Sequence, residues 1–499
     1  MSGIRVTYSG LISLVVGITS IFTGLIFTLI VTRTVSITEY GIWGLISSLF
    51  GYVVTIEPMI SYWATREIAR NVDSGKTAIL SSSLLSIMGI FIYSIIAYLV
   101  GHQTNIDQKI LFFAIILIPL MFLNRTLNGI NLGWKPHAVS YGVLASGIAQ
   151  MPAALLFIYF LHLGVIGIIL TTMMGNISSI IILTIFARQK IRNKIKKEFI
   201  GKWLKLFWLP LYPGVTSMIF FLDAVVFSLI AKSVEGLALW SVSLAISNLI
   251  PTSGLISRAT YPKLLGENNT GYLKENISQL FYFAIPFVAL AIVFAKPALF
   301  ALNPIYEIAF PIVIFTSIFV FLNTISGVFQ SLLSGMEKVD INENSTFRDY
   351  IKSKLFFLPT ISLVQYSTYV IILAVGLLLL VQNVHSQLEL VLYWSIAAII
   401  SHLPFTIYLY VLVKRNFALS LDIHRIGKFL LITFAVFGST YFLIDKFLVY
   451  NSNIFEFIPH LLLLMLAAIG GYLLVTYFVD LKTRQLLNAI IQEVRNKTL

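Results

Sequence analysis

The stretch ITEYGIWGLISSLFGYVVTIEPMISYWATREIAR, Ile37 to Arg70, decides the fold. It opens as an apolar run that supplies the roughly 20 residues a helix needs to cross a bilayer. Glu57 lies inside that run directly before Pro58, and the nearest basic residue along the chain is Arg66, nine positions on. In a helix that separation is about 13 Å, too far for the two side chains to pair. The stretch therefore predicts a membrane-spanning helix that carries a buried acid.

The same apolar character extends through almost the whole chain. Of its 499 residues, 58% are hydrophobic and 11% are charged, and the mean hydropathy is +0.91. Soluble domains carry about 25% charged residues. Apolar stretches run from Ser9 almost to Asp480, with material for about fourteen crossings. We therefore expect an all-α polytopic membrane protein with a retained first helix and no soluble catalytic domain.

Apolar runs interrupted by charged residues place the individual helices. The predicted helices cover residues 9–31, 41–62, 78–101, 110–131, 138–161, 165–187, 206–231, 236–257, 278–295, 307–335, 355–381, 387–413, 427–445 and 457–479.

The distribution of basic residues predicts the orientation of these helices. With a cytoplasmic N-terminus, 29 of the 34 Lys and Arg residues lie on the cytoplasmic side. The remaining five are Arg33, Lys109, Lys232, Lys296 and Lys446. An even number of helices then places both termini in the cytoplasm of a multi-pass cell-membrane protein. The net charge of +13 is thus a topology signal and does not indicate a nucleic-acid partner.

The longest basic segment runs from Ala187 to Lys205 and carries eight positive residues. Its apolar residues recur every four positions, at Ile191, Ile195, Phe199 and Trp203. This pattern predicts a short amphipathic helix on the membrane surface that holds anionic lipid headgroups. Direct contact with a substrate or partner is the alternative interpretation.

A faint internal repeat suggests that the chain has two related halves. At an offset of 197 residues, GITS at 17–20 aligns with GVTS at 214–217, and Trp43 aligns with Trp240. Internal repeats are common in transporters. We therefore predict a six-helix lobe over 1–187, a basic linker over 188–205, a second lobe over 206–413, and two C-terminal helices with a cytoplasmic tail over 414–499.

Several kinds of chemistry have no residues to support them. The chain has no cysteine, its seven histidines are scattered, and Gly75 to Thr77 lacks the upstream glycine of a phosphate-binding loop. We expect no metal and no cofactor. Membrane glycosyltransferases and polymerases need a sizeable external loop with acidic residues, and the external loops here are short. The sequence therefore argues against an enzyme.

Two carboxyl groups fall inside predicted spans, those of Glu57 and Asp223. Asp223 lies mid-span in helix seven, nine residues before Lys232. An ionised carboxyl near the bilayer centre costs roughly 2.5 to 3.5 kcal/mol, so both should face the bundle interior or a wet cavity. Each is a candidate proton or cation site, a polar contact for a hydrophilic substrate, or a hydrogen-bonded packing residue.

A set of basic residues lies near the cytoplasmic ends of helices. These residues are Arg66, Arg70, Arg125, Arg258 and Lys263. Arginine offers paired donors to phosphate, so the set could form an entry funnel for an anionic headgroup. Ordinary anchoring on the cytoplasmic side is the alternative.

Four segments in their order along the chain resemble one transporter family. Ile37 to Arg70 has a Tyr-Gly turn, an acidic residue and a terminal Arg-x-Ile-Ala-Arg run, and Phe221 to Ser243 has an acid in helix seven. Two further segments follow, RATYPKLLGENNTGYLKENISQLFYFAIP at 258–286 and KPALFALNPIYEIAFPIVI at 296–314. Together they resemble the polysaccharide-type, Wzx-like branch of the multidrug/oligosaccharidyl-lipid/polysaccharide (MOP) flippase superfamily. The turn near Trp240 departs from the family pattern.

The resemblance implies a fourteen-helix carrier with two six-helix lobes around a hydrophilic cavity, plus two C-terminal helices. Members of that branch move undecaprenyl- or dolichyl-linked oligosaccharides from the cytoplasmic to the outer leaflet. The leading hypothesis is therefore a flippase for a polyprenyl-linked glycan, with membrane lipids and glycan-assembly enzymes as partners. The alternatives are a cation-coupled exporter of small amphipathic compounds, with Glu57 and Asp223 as coupling sites, and a membrane glycosyltransferase or polymerase.

Overall fold

A computed structural model describes most of the chain. The described residues are 8–69, 71–104, 106–205, 207–254, 273–335, 337, 339, 347–384, 386–417, 421–451, 453–485 and 487–488.

Helices make up the regular structure of the described residues. The α-helices are α1 Tyr8–Thr34, α2 Ile37–Val54, α3 Pro58–Ala69, α4 Gly75–Thr104, α5 Gln108–Phe113, α6 Leu117–Trp134, α7 Pro136–Ala154, α8 Gly164–Ile191, α9 Lys197–Lys205, α10 Trp208–Ala231, α11 Glu235–Ser247, α12 Leu273–Val293, α13 Ala295–Leu302, α14 Phe310–Gly335, α15 Phe347–Lys352, α16 Lys354–Leu380, α17 Gln387–Phe417, α18 Ile423–Phe447 and α19 Ile454–Val479. Short 3₁₀ segments lie at Ala114–Ile116, Ile250–Gly254 and Pro304–Ala309, and a π-helical segment lies at Leu155–Phe160.

Thirteen helical segments among the described residues are long and apolar enough to cross a membrane. They coincide with the predicted helices from the second to the fourteenth. Helix α1 occupies the position of the first, and its part from Phe22 to Thr34 is apolar. The all-α, multi-pass architecture is therefore the one that the hydropathy predicted.

The second predicted span differs from expectation because it is broken. Residues 41–62 were expected to form one helix, but α2 ends at Val54 and α3 begins at Pro58. The residues between the two helices form a turn, in which Glu57 N donates to Val54 O at 3.2 Å. Proline lacks the N–H that would continue a helix, and its fixed φ suits the first turn of a new one. The break therefore spans residues 55–57, and Glu57 is its last residue.

A capping box fixes where α2 begins. The Ser36 hydroxyl accepts from Glu39 N at 3.2 Å, and Ser36 N donates to Glu39 Oε2 at 2.9 Å. The two bonds satisfy backbone donors that a helix start leaves open. The sequence Ser-x-x-Glu thus sets the register of α2, and with it the position of Glu57.

The chain divides into two compact units. One comprises Met1–Leu14, Val242–Glu337 and Leu403–Leu499, and the other comprises Val15–Ser241 and Lys338–His402. We call them the first and the second unit. The lobe boundaries 1–187 and 206–413 stay a prediction.

An ion cluster joins three helices of the first unit. The buried Arg425 at the start of α18 donates to Glu275 Oε1 on α12 at 2.8 Å and to Asp480 Oδ2 after α19 at 2.9 Å. Lys482 lies 3.4 Å from the second oxygen of Glu275. Asp480 also accepts from the Thr483 backbone and hydroxyl, at 2.9 and 2.6 Å. The cluster fixes the ends of the two C-terminal helices to α12.

The predicted cytoplasmic tail lies largely outside the described residues. Residues 481–485 and 487–488 are helical. Leu486 and residues 489–499 are outside them.

Candidate functional site

Glu57 is buried at the break between α2 and α3. Its side chain is 1% exposed. The Thr126 hydroxyl of α6 donates to Oε1 at 2.8 Å, and the Ser61 hydroxyl of α3 donates to Oε2 at 2.9 Å. Each carboxyl oxygen therefore accepts a hydrogen bond from a different helix of the pair α3 and α6. The buried acid that the sequence predicted therefore has a hydroxyl partner on each of two helices of the second unit.

Small residues bring α3 and α6 together around this site. A Cβ atom added to Gly129 would lie 3.0 Å from Ser61 O, and one added to Gly133 would lie 2.5 Å from Thr65 O. The Thr65 hydroxyl donates to Gly129 O at 2.9 Å across the two helices. Small residues at helix interfaces allow close backbone approach inside membranes. This packing carries Thr126 to within hydrogen-bonding distance of Glu57.

Arg125 is next to Thr126 on α6 and has an exposed side chain. It is close enough to Glu57 for the opposite charges to attract. Among the described residues the two form no ion pair within 4.0 Å. The site thus combines a buried acid with a nearby exposed arginine residue, and Arg125 lies inside the span Gln108–Trp134.

Arg66 lies on α3, more than two turns beyond Glu57. Its guanidinium donates to the Tyr62 hydroxyl at 2.7 Å and lies 5.1 Å from the centre of the same ring. A hydroxyl and an aromatic face hold the guanidinium in one orientation. Arg66 and Arg125 are therefore two cationic groups on neighbouring helices of the second unit.

A ladder of amide side chains extends the polar site between α6 and α8. Asn124 donates to Asn176 Oδ1 at 2.9 Å, and its own oxygen accepts from Asn128 at 2.8 Å and from Ser179 at 3.3 Å. The sequence did not predict this contact between two spans. Polar amides four residues apart inside an apolar span were the signal that could have revealed it.

Asp223 is 5% exposed on α10 and belongs to a different hydrogen-bonded group of the second unit. The Tyr369 hydroxyl of α16 donates to Asp223 Oδ2 at 2.9 Å, and Ala224 N donates to Oδ1 at 2.7 Å. Trp394 of α17 donates its indole N–H to the Tyr369 oxygen at 2.5 Å. A directed chain of donors therefore ends on the Asp223 carboxylate.

Aromatic rings enclose this second group. The ring of Trp394 stacks between Phe227 and Trp240, with centroids 4.9 and 4.3 Å away. His402 is buried, and the centroid of its ring lies 5.8 Å from that of the Tyr369 ring. Tyr52 of α2 lies near Asp223, and its buried hydroxyl makes no hydrogen bond within the described part of the chain. Asp223 is therefore held in a largely apolar setting by neutral donors.

Arg70, Arg258 and Lys263 lie outside the described residues. The structure brings Glu57 and Arg125 together and gives Asp223 its own partners on α16 and α17. Within the described ranges, no group of three His, Asp or Glu side chains could hold a metal ion.

Comparison with known proteins identifies the fold. No family model matches the chain, and no curated protein matches it. Among solved structures, "Lipid II flippase MurJ, inward closed conformation" is similar with a TM-score of 0.63 and 17% identity, over 93% of this chain and 98% of that one.

Two further solved structures have the same architecture. An inward-facing multidrug resistance MATE family transporter of the MOP superfamily gives a TM-score of 0.56 at 12% identity, over 81% of this chain and 98% of that one. A MOP superfamily transporter from Pyrococcus furiosus gives 0.55 at 13% identity, over 82% of this chain and 94% of that one. The structural similarity establishes the fold. Sequence identities this low do not distinguish the Wzx-like branch from the other branches. The chain therefore has an all-α, multi-pass membrane fold similar to that of these transporters.

Proposed function

We propose that this protein is a membrane transporter that moves a lipid-linked oligosaccharide from the cytoplasmic to the outer leaflet. The observation that carries the proposal is the broken span 37–69, whose break buries Glu57 beside the accessible Arg125. Transporters build substrate sites where a membrane helix is interrupted, because the freed backbone and polar side chains then line a cavity. Arg66 and the amide ladder extend the polar surface on the same helices.

The residues of this site suit a diphosphate and a sugar. Guanidinium groups offer paired donors to phosphate oxygens, and Asn amides donate to and accept from hydroxyl groups. Arg66 and Arg125 would bind the diphosphate, while the accessible side chains around the ladder would meet the glycan. Arg70, Arg258 and Lys263 remain proposed members of the cationic entry path.

The lengths of the structural matches favour a lipid-linked cargo over a small drug. The flippase structure matches 93% of this chain, whereas the MATE transporter matches 81%. The additional similarity supports assignment to the flippase type. In this proposal the headgroup crosses through a cavity between the predicted lobes 1–187 and 206–413, and the polyprenyl tail stays in lipid. The lobes alternate access, both termini are cytoplasmic, and the cargo is not chemically changed.

A flipping assay tests this proposal directly. The purified protein would be reconstituted with a polyprenyl-diphosphate sugar that carries a fluorescent headgroup label. Impermeant dithionite then destroys label on the outer leaflet, and the rate of further loss measures flipping. We expect Arg125→Ala to slow flipping by about tenfold or more, because one guanidinium contact to phosphate is worth about 1.5 to 3 kcal/mol. Arg66→Ala should slow it similarly.

The matched control is Arg415→Ala, which removes an exposed arginine at the end of α17. Arg125→Lys should recover only part of the rate, since an ammonium group cannot make the paired contact. Wild-type rates equal to those of protein-free liposomes, or full activity in both alanine variants, would refute the proposal.

The hydrogen-bonded Asp223 favours one alternative, a cation-coupled exporter of small amphipathic compounds. A buried carboxylate that can exchange its donors for a proton or cation could couple transport to a gradient. Uptake of a fluorescent amphipathic cation into proteoliposomes, with and without an imposed sodium or proton gradient, distinguishes this function from flipping. Gradient-dependent uptake lost in Asp223→Asn would favour the exporter.

A further inference from the structure

Helix α9 packs against α3, within the second unit, through its apolar face. Trp203 is 1% exposed, and its indole N–H donates to Glu67 Oε1 of α3 at 3.2 Å. The same ring stacks on the ring of Phe199, with the two ring centroids 6.0 Å apart. Trp203 also packs in one apolar cluster with Ile60, Ala64 and Ile68. Phe199 and Ile191 pack against the same cluster. Three of the four residues in the predicted stripe are therefore packed against protein instead of lying free at the membrane surface.

The chain leading into α9 is also held in place. Lys190 pairs with Asp73 at 3.2 Å and lies 4.6 Å from the Trp134 ring. The backbone N–H of Lys196 donates to the Thr77 hydroxyl at 3.0 Å. These contacts fix the segment at both its beginning and its middle.

The outward side of this segment is strongly basic. Its exposed cationic residues are Arg188, Arg192, Lys194, Lys196 and Lys197. Glu198 is the one acidic residue between 187 and 207 in the sequence. Exposed apolar side chains lie beside the charges, with Ile195 at 44% and Leu204 at 57%. Basic groups interleaved with apolar ones match an anionic lipid surface, which offers phosphate groups above acyl chains.

The neighbouring spans keep α9 at such a surface. Helix α8 ends at Ile191 and α10 begins at Trp208, and both belong to candidate membrane spans. The connection between two spans must begin and end at the bilayer interface. A soluble acidic protein would have to compete with the lipid headgroups for the same face.

We propose that α9 and its basic approach, residues 188–205, bind anionic phospholipid headgroups and that the Trp203–Glu67 contact transmits this binding to α3. Helix α3 begins at Pro58, directly after Glu57, and carries Ser61, which bonds to the Glu57 carboxylate. Anionic lipid would therefore hold α3 in the position described here. The inference is independent of the cargo, since it concerns lipid binding and the mobility of α3.

The natural absence of cysteine permits a direct test of the lipid contact. Leu204→Cys would carry an environment-sensitive fluorophore in nanodiscs of phosphatidylcholine alone or with phosphatidylglycerol at a ratio of about 7:3. We expect a blue shift of emission in the anionic discs that is lost at high salt, because salt screens the attraction. Combined replacement of Arg192, Lys194 and Lys197 by Gln should abolish the shift. Each basic residue strengthens headgroup binding about fivefold, so three together account for about a hundredfold.

The matched control replaces Lys414 and Arg415, two exposed basic residues at the end of α17, by Gln. It should leave the shift unchanged. Equal emission in the two lipids would overturn the proposal. A shift that survives in the triple variant, or that needs added soluble protein, would overturn it as well.

A second probe tests the transmission to α3. Ala69→Cys places a thiol at the exposed end of α3, and an impermeant maleimide measures its accessibility. We expect slower labelling in anionic discs than in neutral ones, with the difference lost in Trp203→Phe. Glu67→Leu removes the acceptor of the same hydrogen bond. If Trp203→Phe unfolds, Glu67→Leu should abolish the labelling difference in its place. A labelling difference that persists in the folded variants would refute transmission, and flipping activity has no part in the readout.

Discussion

The hydrogen bond between Thr126 and Glu57 yields a prediction whose magnitude depends on the charge of the site. Thr126→Val keeps the shape of a fully buried side chain and removes the donor to Oε1 at 2.8 Å. Hydrogen bonds between neutral groups of membrane helices contribute about 0.6 kcal/mol, whereas bonds to charged groups contribute about 1.5 to 3 kcal/mol. Both Glu57 oxygens accept here, and Arg125 adds an attractive charge. We therefore expect the hydrogen bond between Thr126 and Glu57 to contribute about 1.5 to 3 kcal/mol.

The measurement is a double-mutant cycle. Thr126→Val, Glu57→Met and the double variant would be unfolded at pH 7.5 with increasing sodium dodecyl sulfate in mixed micelles, followed by circular dichroism. The expected coupling free energy is about 1.5 to 3 kcal/mol. Thr171→Val is the matched control, since Thr171 is equally buried and donates to Gly167 O of its own helix. A Glu57–Thr126 coupling below about 0.5 kcal/mol would show that the site holds no charged acceptor.

Three more perturbations test the contacts that hold the helices together. Arg425→Gln should lower the free energy of unfolding by about 2 to 4 kcal/mol, because Asp480 loses a buried partner. This deficit should shrink as the pH falls below about 3.8, the ordinary pKa of aspartate in an unfolded chain, towards the lower pKa of folded Asp480. Tyr369→Phe should cost about 2 to 3 kcal/mol in the same unfolding assay, since it leaves Asp223 Oδ2 without the hydroxyl donor at 2.9 Å. Gly41→Ala should cost about 1 to 3 kcal/mol, because the added Cβ would meet a backbone carbonyl oxygen of the turn before α11.

The pH dependence at Asp480 follows from the sign of its pKa shift. Burial by itself would raise the pKa, but hydrogen bonds from Thr483 and the charge of Arg425 lower it below the ordinary 3.8. A carboxyl group with a lowered pKa stabilises the fold above its unfolded value, and this contribution disappears as the pH falls through the folded value. A deficit of Arg425→Gln that stays constant from pH 7 to pH 3 would contradict this account.

The other two perturbations have matched controls. Gly24→Ala adds a Cβ that meets nothing within 4 Å and should not destabilise the protein. Equal unfolding free energies for Gly24→Ala and Gly41→Ala would show that close packing at Gly41 does not contribute. For the Asp223 group, Tyr408→Phe removes an exposed hydroxyl and should be nearly neutral. A similarly small effect of Tyr369→Phe would show that its hydrogen bonds contribute little.

The sequence by itself determined the spans, because the preference of an apolar run for lipid is a local property. It also determined that Glu57 and Asp223 are buried, since a single charge inside a long apolar run has little access to water. The Asn ladder was within reach of the same reasoning, because Asn124 and Asn128 are polar residues four positions apart inside an apolar run. Orientation, lobe boundaries and cargo stay predictions of the charge pattern and of the resemblance.

Only the tertiary structure decided what surrounds each acid. Thr126 lies 69 residues from Glu57 along the chain, and Tyr369 lies 146 residues from Asp223. Contacts at such separations depend on which helix faces are packed together, and many faces of an apolar helix are equally hydrophobic. The structure likewise placed Trp203 against Glu67, although its stripe alone indicated a surface helix. Hydropathy specifies that a helix lies in the membrane, whereas the close fit of small and polar residues between helices selects its neighbours.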